Sequence, residues 1–157
     1  RIIGFLSPWG DPGGAGFQLI GSLVAVGSGG LFGTGLGESR QKLFYLPAAH
    51  TDFIFSVIGE EWGFIGATAV LALIGFLVWF GLRVAMNSPD GFGFLVGFGI
   101  VMLLALEALI HIAVATGTLP TKGLPFPLLS YGGTSLIVNM VSLAVLLNVA
   151  RPRQVAL

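Results

Sequence analysis

The sequence predicts an all-α membrane protein: three transmembrane helices, at about 53–82, 91–117 and 134–150, beside a large extracytoplasmic loop region (1–50) that carries short interfacial helices. Three observations predict it. The 157 residues are 55 % hydrophobic with mean hydropathy +0.96. Only 9 % are charged, where a soluble domain carries about 25 %. The polar and glycine-rich residues gather in blocks between long apolar runs, the spacing expected when the runs cross a bilayer. The net charge is zero, which gives no footing for a nucleic-acid partner. There is no cysteine and there are two histidines, which excludes disulfides and thiolate metal sites and argues against a dedicated zinc site. Three spans make a thin bundle, the first residue is Arg1, and no signal-peptide pattern precedes the first loop. The chain is therefore expected to be the C-terminal part of a larger multi-pass protein.

Residues 1–16, RIIGFLSPWGDPGGAG, hold two prolines and five glycines and read as an irregular surface segment. Phe17 to Val26 forms a short helix with Gln18 and Ser22 four apart on one side. It is too short to span, so an interfacial or re-entrant helix fits. Gly27 to Gly37, GSGGLFGTGLG, carries six glycines in eleven residues and cannot hold a stable helix. It matches neither the phosphate-loop nor the dinucleotide spacing. It is either a turn allowing close backbone approach or a loop touching substrate.

The stretch Arg40 to Glu61 gathers Arg40, Lys42, His50, Asp52, Glu60 and Glu61 in a chain with few charges. Asp52 falls where the first span meets water, with Glu60 and Glu61 about 12 Å further along that helix at ~1.5 Å per residue. Thr51 or Asp52 is the expected N-cap, since a carboxylate suits the positive helix end. Gly59, Gly63 and Gly66 offer small faces for helix packing. Arg83 ends the span and VAMNSPDG makes the turn. The second span contains a small-xxx-small pair, Gly93 and Gly97, and places Glu107 and His111 one turn apart on one face. The segment TLPTKGLPFPLLSYGG, with three prolines and three glycines, cannot be a continuous helix; its apolar residues predict a dip into the membrane edge under cover of protein or a wet cavity. The third span follows, then RPRQ.

Arg83, Arg151 and Arg153 fall on one side of the membrane, and Arg1, Arg40, Lys42 and Lys122 on the other. Four against three is the reverse of the positive-inside rule. The orientation with Arg151 and Arg153 in the cytoplasm is still preferred, because the outer cations lie in long loops with a use for positive charge. On that outer side one loop supplies Arg40, Lys42, His50, Thr51 and Asp52, the other Lys122, Ser130, Tyr131, Gly132 and Gly133. Cations and glycine amides together make a pyrophosphate clamp. The aspartate could deprotonate a sugar hydroxyl or hold a divalent cation. The alternative is that Asp52 only caps its helix while the cations meet lipid phosphates. Glu60, Glu61, Glu107 and His111 lie at similar depth and are expected to form a buried polar cluster, either a structural hydrogen-bond knot or a group that orients substrate or handles protons.

GFQLIGSLVAVGSGGLFGTGLGESRQKLFYLPAAHTDFIFSVIGEEWGFIG and ATGTLPTKGLPFPLLSYGGTSLIVNM resemble the SEDS family (shape, elongation, division and sporulation proteins), most nearly its FtsW-type cell-division branch. The resemblance covers nearly the whole chain. It implies one SEDS domain fragment, the C-terminal part of a ten-helix bundle in the bacterial cytoplasmic membrane, with the active face outside and the C-terminus inside. It also implies a peptidoglycan glycosyltransferase that polymerises lipid II, a disaccharide-peptide on undecaprenyl pyrophosphate, with a class B penicillin-binding protein and other division-complex membrane proteins as partners. The family's essential loop aspartate falls on Asp52 in HTDFIF. By the same resemblance Asp52 activates the acceptor 4-hydroxyl, directly or through a divalent cation (Mg or Mn), and some of Arg40, Lys42 and Lys122 hold the lipid pyrophosphate. The SYGGTS block, Ser130 to Ser135, would shape the same cavity. The chain departs from the family pattern at LPAAH, where Ala48 replaces a glutamate, and at EALIHI, where Glu107 and His111 occupy usually neutral positions and are expected to pair. A lipid II flippase, using the buried carboxylates, and a non-catalytic division scaffold are the competing readings.

Overall fold

The structure, a computed structural model, describes residues 8–10, 16–35, 37, 52–121 and 123–150. Among them regular structure is all helical: a 3-10 turn at Pro8–Gly10, then α1 (Phe17–Ser28), α2 (Ile54–Met86), α3 (Gly91–Ala115) and α4 (Gly133–Val149). This is the predicted fold class. The expected residues Arg40, Lys42, Ala48, His50, Thr51, Lys122, Arg151 and Arg153 lie outside the described residues.

At ~1.5 Å per residue α2 runs about 50 Å and α3 about 38 Å, both beyond the ~30 Å of bilayer hydrocarbon. These two helices are long and apolar enough to cross a membrane, whereas α4, at 17 residues, is apolar but shorter. α2 continues through Arg83 to Met86, past the predicted end at 82. The Arg83 guanidinium lies 4.7 Å from the centre of the Trp79 ring, so this cation folds onto an aromatic face and the helix needs no break to accommodate it.

The short connection Asn87–Asp90 brings α2 and α3 together as antiparallel neighbours, the most extensive pairing in the fold. Their backbones approach closely where side chains are small. A methyl on Gly81 would come within 2.7 Å of Val101 Cγ2, and one on Gly97 within 3.0 Å of Ala85 Cβ. That is how helices associate in lipid, where apolar burial alone gives no drive. α1 lies along the first half of α2, and α4 packs on α3 and α2. The outer faces remain apolar and exposed, with Phe76, Leu95 and Ile137 each more than half accessible, as suits contact with lipid or further helices.

Helix α2 is two segments. Gly63 adopts φ 65° and ψ −162° inside it, a region essentially confined to glycine. The break would orphan the Glu60 and Glu61 carbonyls and the Phe64 and Ile65 amides. The glycine-rich loop after α1 takes all four. Thr34 N–H donates to Glu60 O at 2.9 Å and Gly35 N–H to Glu61 O at 3.2 Å, while Phe64 and Ile65 donate to Gly30 O and Leu31 O at 2.9 and 3.3 Å. The Thr34 hydroxyl adds a bond to Glu60 O at 3.1 Å. Side chains are excluded from this seam: a Cβ at Gly33 would strike the Glu61 backbone, and one at Gly63 the Gly33 backbone. Of the two readings of the loop, close backbone approach is what the structure displays.

Candidate active site

The first turns of α2, the last turns of α3 and Phe126 of the segment that follows meet at one end of the bundle. The residues on either side of Asp52 explain its placement. Phe53 (2 % exposed) and Phe55 (5 %) are core residues. Phe53 packs with Val57 and Val114, and Phe55 with Ala108, Ala115 and Phe126. With both aromatic neighbours anchored inward, Asp52 is left half-buried at the helix entrance. Below it Ser22, Ser56 and the Ala115 carbonyl tie three helices: Ser22 Oγ lies 2.6 Å from Ser56 Oγ and donates to Ala115 O at 2.7 Å.

The expected capping role is not what forms. Phe53 occupies the N-cap position, and no side chain caps the helix. The Asp52 carboxylate turns instead to the backbone of Gly123. A Cβ at Gly123 would sit 2.9 Å from Asp52 Oδ2 and 3.4 Å from Cγ, so a side chain there would press on the carboxylate and make it shift. Gly123 belongs to the proline-rich segment, which is irregular as predicted.

That segment is held by α3. His111 is 1 % exposed; its Nδ1 donates to Leu124 O at 2.8 Å. The ring meets Phe126 edge-on, with centroids 5.1 Å apart and planes at 74°; Phe126 in turn stacks on Phe55 at 6.3 Å. Further along, Ser130 Oγ accepts the Phe126 N–H at 2.7 Å, and Ser130 N–H donates to Phe126 O at 3.1 Å. Ser130 thus closes a turn, within which Leu128 holds φ 66°.

Tyr131 is 85 % exposed. Gly132 is the extended N-cap of α4, and Gly133 begins that helix without a capping side chain. Together with Leu128, Leu129, Ser130 and Leu136 they line a cavity of about 370 Å³. The Gly132 N–H donates to Ser130 O at 2.9 Å, so the first turn of α4 opens beside that space from Gly133 onward without a capping side chain.

The residues of the expected polar cluster are placed as follows. Glu60 is buried and Glu61 half-buried, and the carbonyls of both are engaged by the loop 30–35. Glu107 Oε2 and His111 Nε2 are buried without a hydrogen-bond partner. Neither pairing of Glu107 with His111 nor closure onto Glu60 and Glu61 runs through those atoms. The reason is the ring's other nitrogen, which is committed to Leu124, fixing the imidazole toward the loop rather than along the helix. Sequence reasoning missed the Asp52–Gly123 and His111–Leu124 contacts. Their only signal was a glycine flanked by turn residues, TKGLP, opposite a histidine on an apolar helix.

Among the described residues no three histidine, aspartate or glutamate side chains stand together as metal ligands. A protein-built cation cage is thus not formed by them. A single carboxylate such as Asp52 would suit an ion that fills its remaining positions with water and phosphate oxygens, which is the habit of Mg²⁺.

The family model described as cell cycle protein, FtsW/RodA/SpoVE, matches residues 1–155. The chain is 57 % identical over 150 residues to a protein of Geobacter sp. (strain M18) named "Probable peptidoglycan glycosyltransferase FtsW", covering 96 % of this chain and 41 % of that one. It is 53 % identical over 151 residues to stage V sporulation protein E of Bacillus subtilis (strain 168), again covering 96 % and 41 %. A solved peptidoglycan synthase complex, described as coordinating polymerization and crosslinking, superposes with TM-score 0.75 at 33 % identity, over 99 % of this chain and 42 % of that one. The rod-shape-determining protein RodA of Thermus thermophilus, solved as an aspartate-to-alanine mutant, superposes with TM-score 0.66 at 36 % identity, over 86 % and 41 %. The chain spans about two fifths of the length of the curated relatives it matches. With the matched model running almost end to end and the fold shared with solved members, the chain belongs to the FtsW/RodA/SpoVE family of membrane proteins.

Proposed function

We propose that the protein to which this chain contributes is a peptidoglycan glycosyltransferase polymerising lipid II at the outer face of the bacterial cytoplasmic membrane, with Asp52 as the group that activates the acceptor. The observation that carries the reading is the half-buried Asp52 carboxylate beside Gly123, at the bundle end where α2 begins, in a chain whose relatives are named peptidoglycan glycosyltransferases. In the proposed step the acceptor sugar's 4-hydroxyl oxygen bonds to the donor's anomeric carbon. The bond from that carbon to the lipid pyrophosphate oxygen breaks, and the pyrophosphate leaves with the electron pair. The hydroxyl proton passes to Asp52 and then to water. A positioned general base contributes about 10²–10⁴-fold to such a rate.

Arg40, Lys42 and Lys122 are the cations assigned to the leaving pyrophosphate, with His50, Thr51, Ser130, Tyr131, Gly132 and Gly133 around the substrate. Cations aimed at phosphate oxygens gain strength as the site loses water. Asp52 is the residue that would hold a divalent cation, which would supply charge neutralisation for the leaving group; no step above depends on it. A class B penicillin-binding protein is the proposed partner, supported by the similarity to a complex that couples polymerization to crosslinking. The complete protein should polymerise purified lipid II, and Asp52→Ala and Asp52→Asn should each lose at least about 10²-fold in rate while still binding lipid II. Undiminished polymerisation by purified Asp52→Ala protein would falsify the assignment.

The rival is lipid II transport, favoured by one observation: Glu107 and His111 keep buried polar atoms without partners inside the membrane, where such groups mark polar pathways. Movement of labelled lipid II across liposomes that depends on Glu107 but not on Asp52 would establish it.

A further inference from the structure

His111 has no part in the step just described, yet it is among the most buried polar side chains of the bundle. A carbonyl can only accept, so the 2.8 Å contact from Nδ1 to Leu124 O places the imidazole hydrogen on Nδ1 and the lone pair on Nε2. From Phe126 onward the segment is anchored in the core and tied to Ser130, but the residues before Phe126 have fewer ties. From Gly123 to Pro125 no backbone–backbone hydrogen bond forms among the described residues, and Pro125 and Pro127 bring no N–H. Two attachments near one another, Leu124 O on the ring nitrogen and Phe126 on the ring edge, therefore set where the residue before them lies. That residue is Gly123, whose backbone meets the Asp52 carboxylate.

We propose that His111 is a positioning residue: its Nδ1–H fixes the Leu124 carbonyl, and through it holds Gly123 against Asp52 so that the carboxylate faces the acceptor hydroxyl. The inference rests on the reading of Asp52 given above. A ring that merely filled space would act through volume, whereas this role requires a donor at one ring position. His111→Phe keeps the ring and its contact with Phe126 but removes the donor. His111→Asn places an amide N–H close to the Nδ1 position, while His111→Gln places one near Nε2.

The test uses the complete protein and two independent readouts. In lipid II polymerisation, His111→Phe should lower kcat by roughly tenfold or more, the scale of a misplaced catalytic group, with KM changed less than about twofold, and His111→Asn should recover most of the loss. Separately, Asp52→Cys with Gly123→Cys should form a disulfide detectable by mass spectrometry of the joined peptides, since the Gly123 Cβ position lies 3.4 Å from Asp52 Cγ. That crosslink should fall several-fold on adding His111→Phe and return with His111→Asn. If His111→Phe does not accumulate, His111→Gln takes its place, because its N–H is at the wrong ring position. Unchanged crosslinking in His111→Phe, or His111→Asn no better than His111→Phe, overturns the proposal. Wild-type polymerisation by Asp52→Ala would instead remove the catalytic reading of Asp52, while the crosslinking series still decides whether His111 sets the loop.

Discussion

Alanine at position 63 would have to hold φ 65° and ψ −162°, which costs an L-residue about 1–3 kcal/mol. Its methyl would also overlap the Gly33 nitrogen and come within 2.7 Å of the Leu31 carbonyl, and overpacking of this kind adds about 1–3 kcal/mol. Keeping the break therefore costs about 2–6 kcal/mol. The helix has one escape, which is to straighten, so that Phe64 and Ile65 donate to Glu60 O and Glu61 O in the ordinary way. Then Gly30 O, Leu31 O, Thr34 N–H and Gly35 N–H lose their partners in α2 and exchange them for water at about 0.5–1.5 kcal/mol each, again ~2–6 kcal/mol. Both routes predict the same scale of loss, so thermal stability alone does not separate them.

Hydrogen exchange does. If the break persists under strain, the amides of Thr34 and Gly35 stay protected in Gly63→Ala. If the helix heals, they exchange as an undocked loop would, while Phe64 and Ile65 stay protected. In either case the thermal midpoint of the complete protein in detergent should fall by several degrees, and polymerisation should fall with it, because Asp52 rides on the segment before the break. Gly75, in the same helix with nothing within 4 Å of where a methyl would sit, is the control: Gly75→Ala should be neutral or stabilise by about 0.5–1 kcal/mol. A Gly63→Ala protein with wild-type midpoint and wild-type exchange at Thr34 and Gly35 would refute the reasoning.

Three further outcomes are expected. Gly123→Ala puts a methyl 2.9 Å from Asp52 Oδ2, so it should cut polymerisation by about tenfold or more; equal losses of folding yield and activity would count against a local effect. Ser22→Ala leaves a buried Ser56 hydroxyl and the Ala115 carbonyl short of a partner, a cost of about 1–3 kcal/mol. Ser22→Ala with Ser56→Ala should then be less than additive in thermal or denaturant unfolding. For the proposed cation, polymerisation should drop in excess chelator and return with Mg²⁺ or Mn²⁺; full turnover in chelator removes the ion from the proposal.

Much of the architecture was legible because lipid imposes a simple rule: backbone groups must be satisfied within each span, so long apolar runs become helices. The start of α3 at Gly91 and the irregularity of TLPTKGLPFPLLSYGG both follow from where glycine and proline interrupt those runs. The break at Gly63 was not legible, since EEWGF reads like any helical stretch that contains a glycine, and only the partner loop reveals that four bonds leave the helix. The capping expectation for Asp52 failed for a related reason. Propensity weighs the helix's own amides, whereas the carboxylate's real neighbour lies 71 positions away at Gly123. Residue type and resemblance single out Asp52, but the neighbour that the structure shows is a stretch of backbone, and backbone carries no letter in a sequence.

Those backbone surroundings decide how the site is built. Two close approaches flank Asp52: Gly33 against the backbone of the α2 break further along the helix, and Gly123 against the carboxylate itself. A carboxylate steered by flexible cations would lose its direction whenever their rotamers changed, and long basic side chains carry about 2 kcal/mol of rotamer entropy each. Peptide groups held by hydrogen bonds at 2.9–3.3 Å on one side and by a buried imidazole on the other have no such freedom. On the positioning proposed above, the direction of Asp52 is set before a substrate arrives, and the loop cations are left to meet the phosphate. Substitutions in the two glycine seams should accordingly act on kcat, whereas neutralising Arg40, Lys42 or Lys122 should act first on KM.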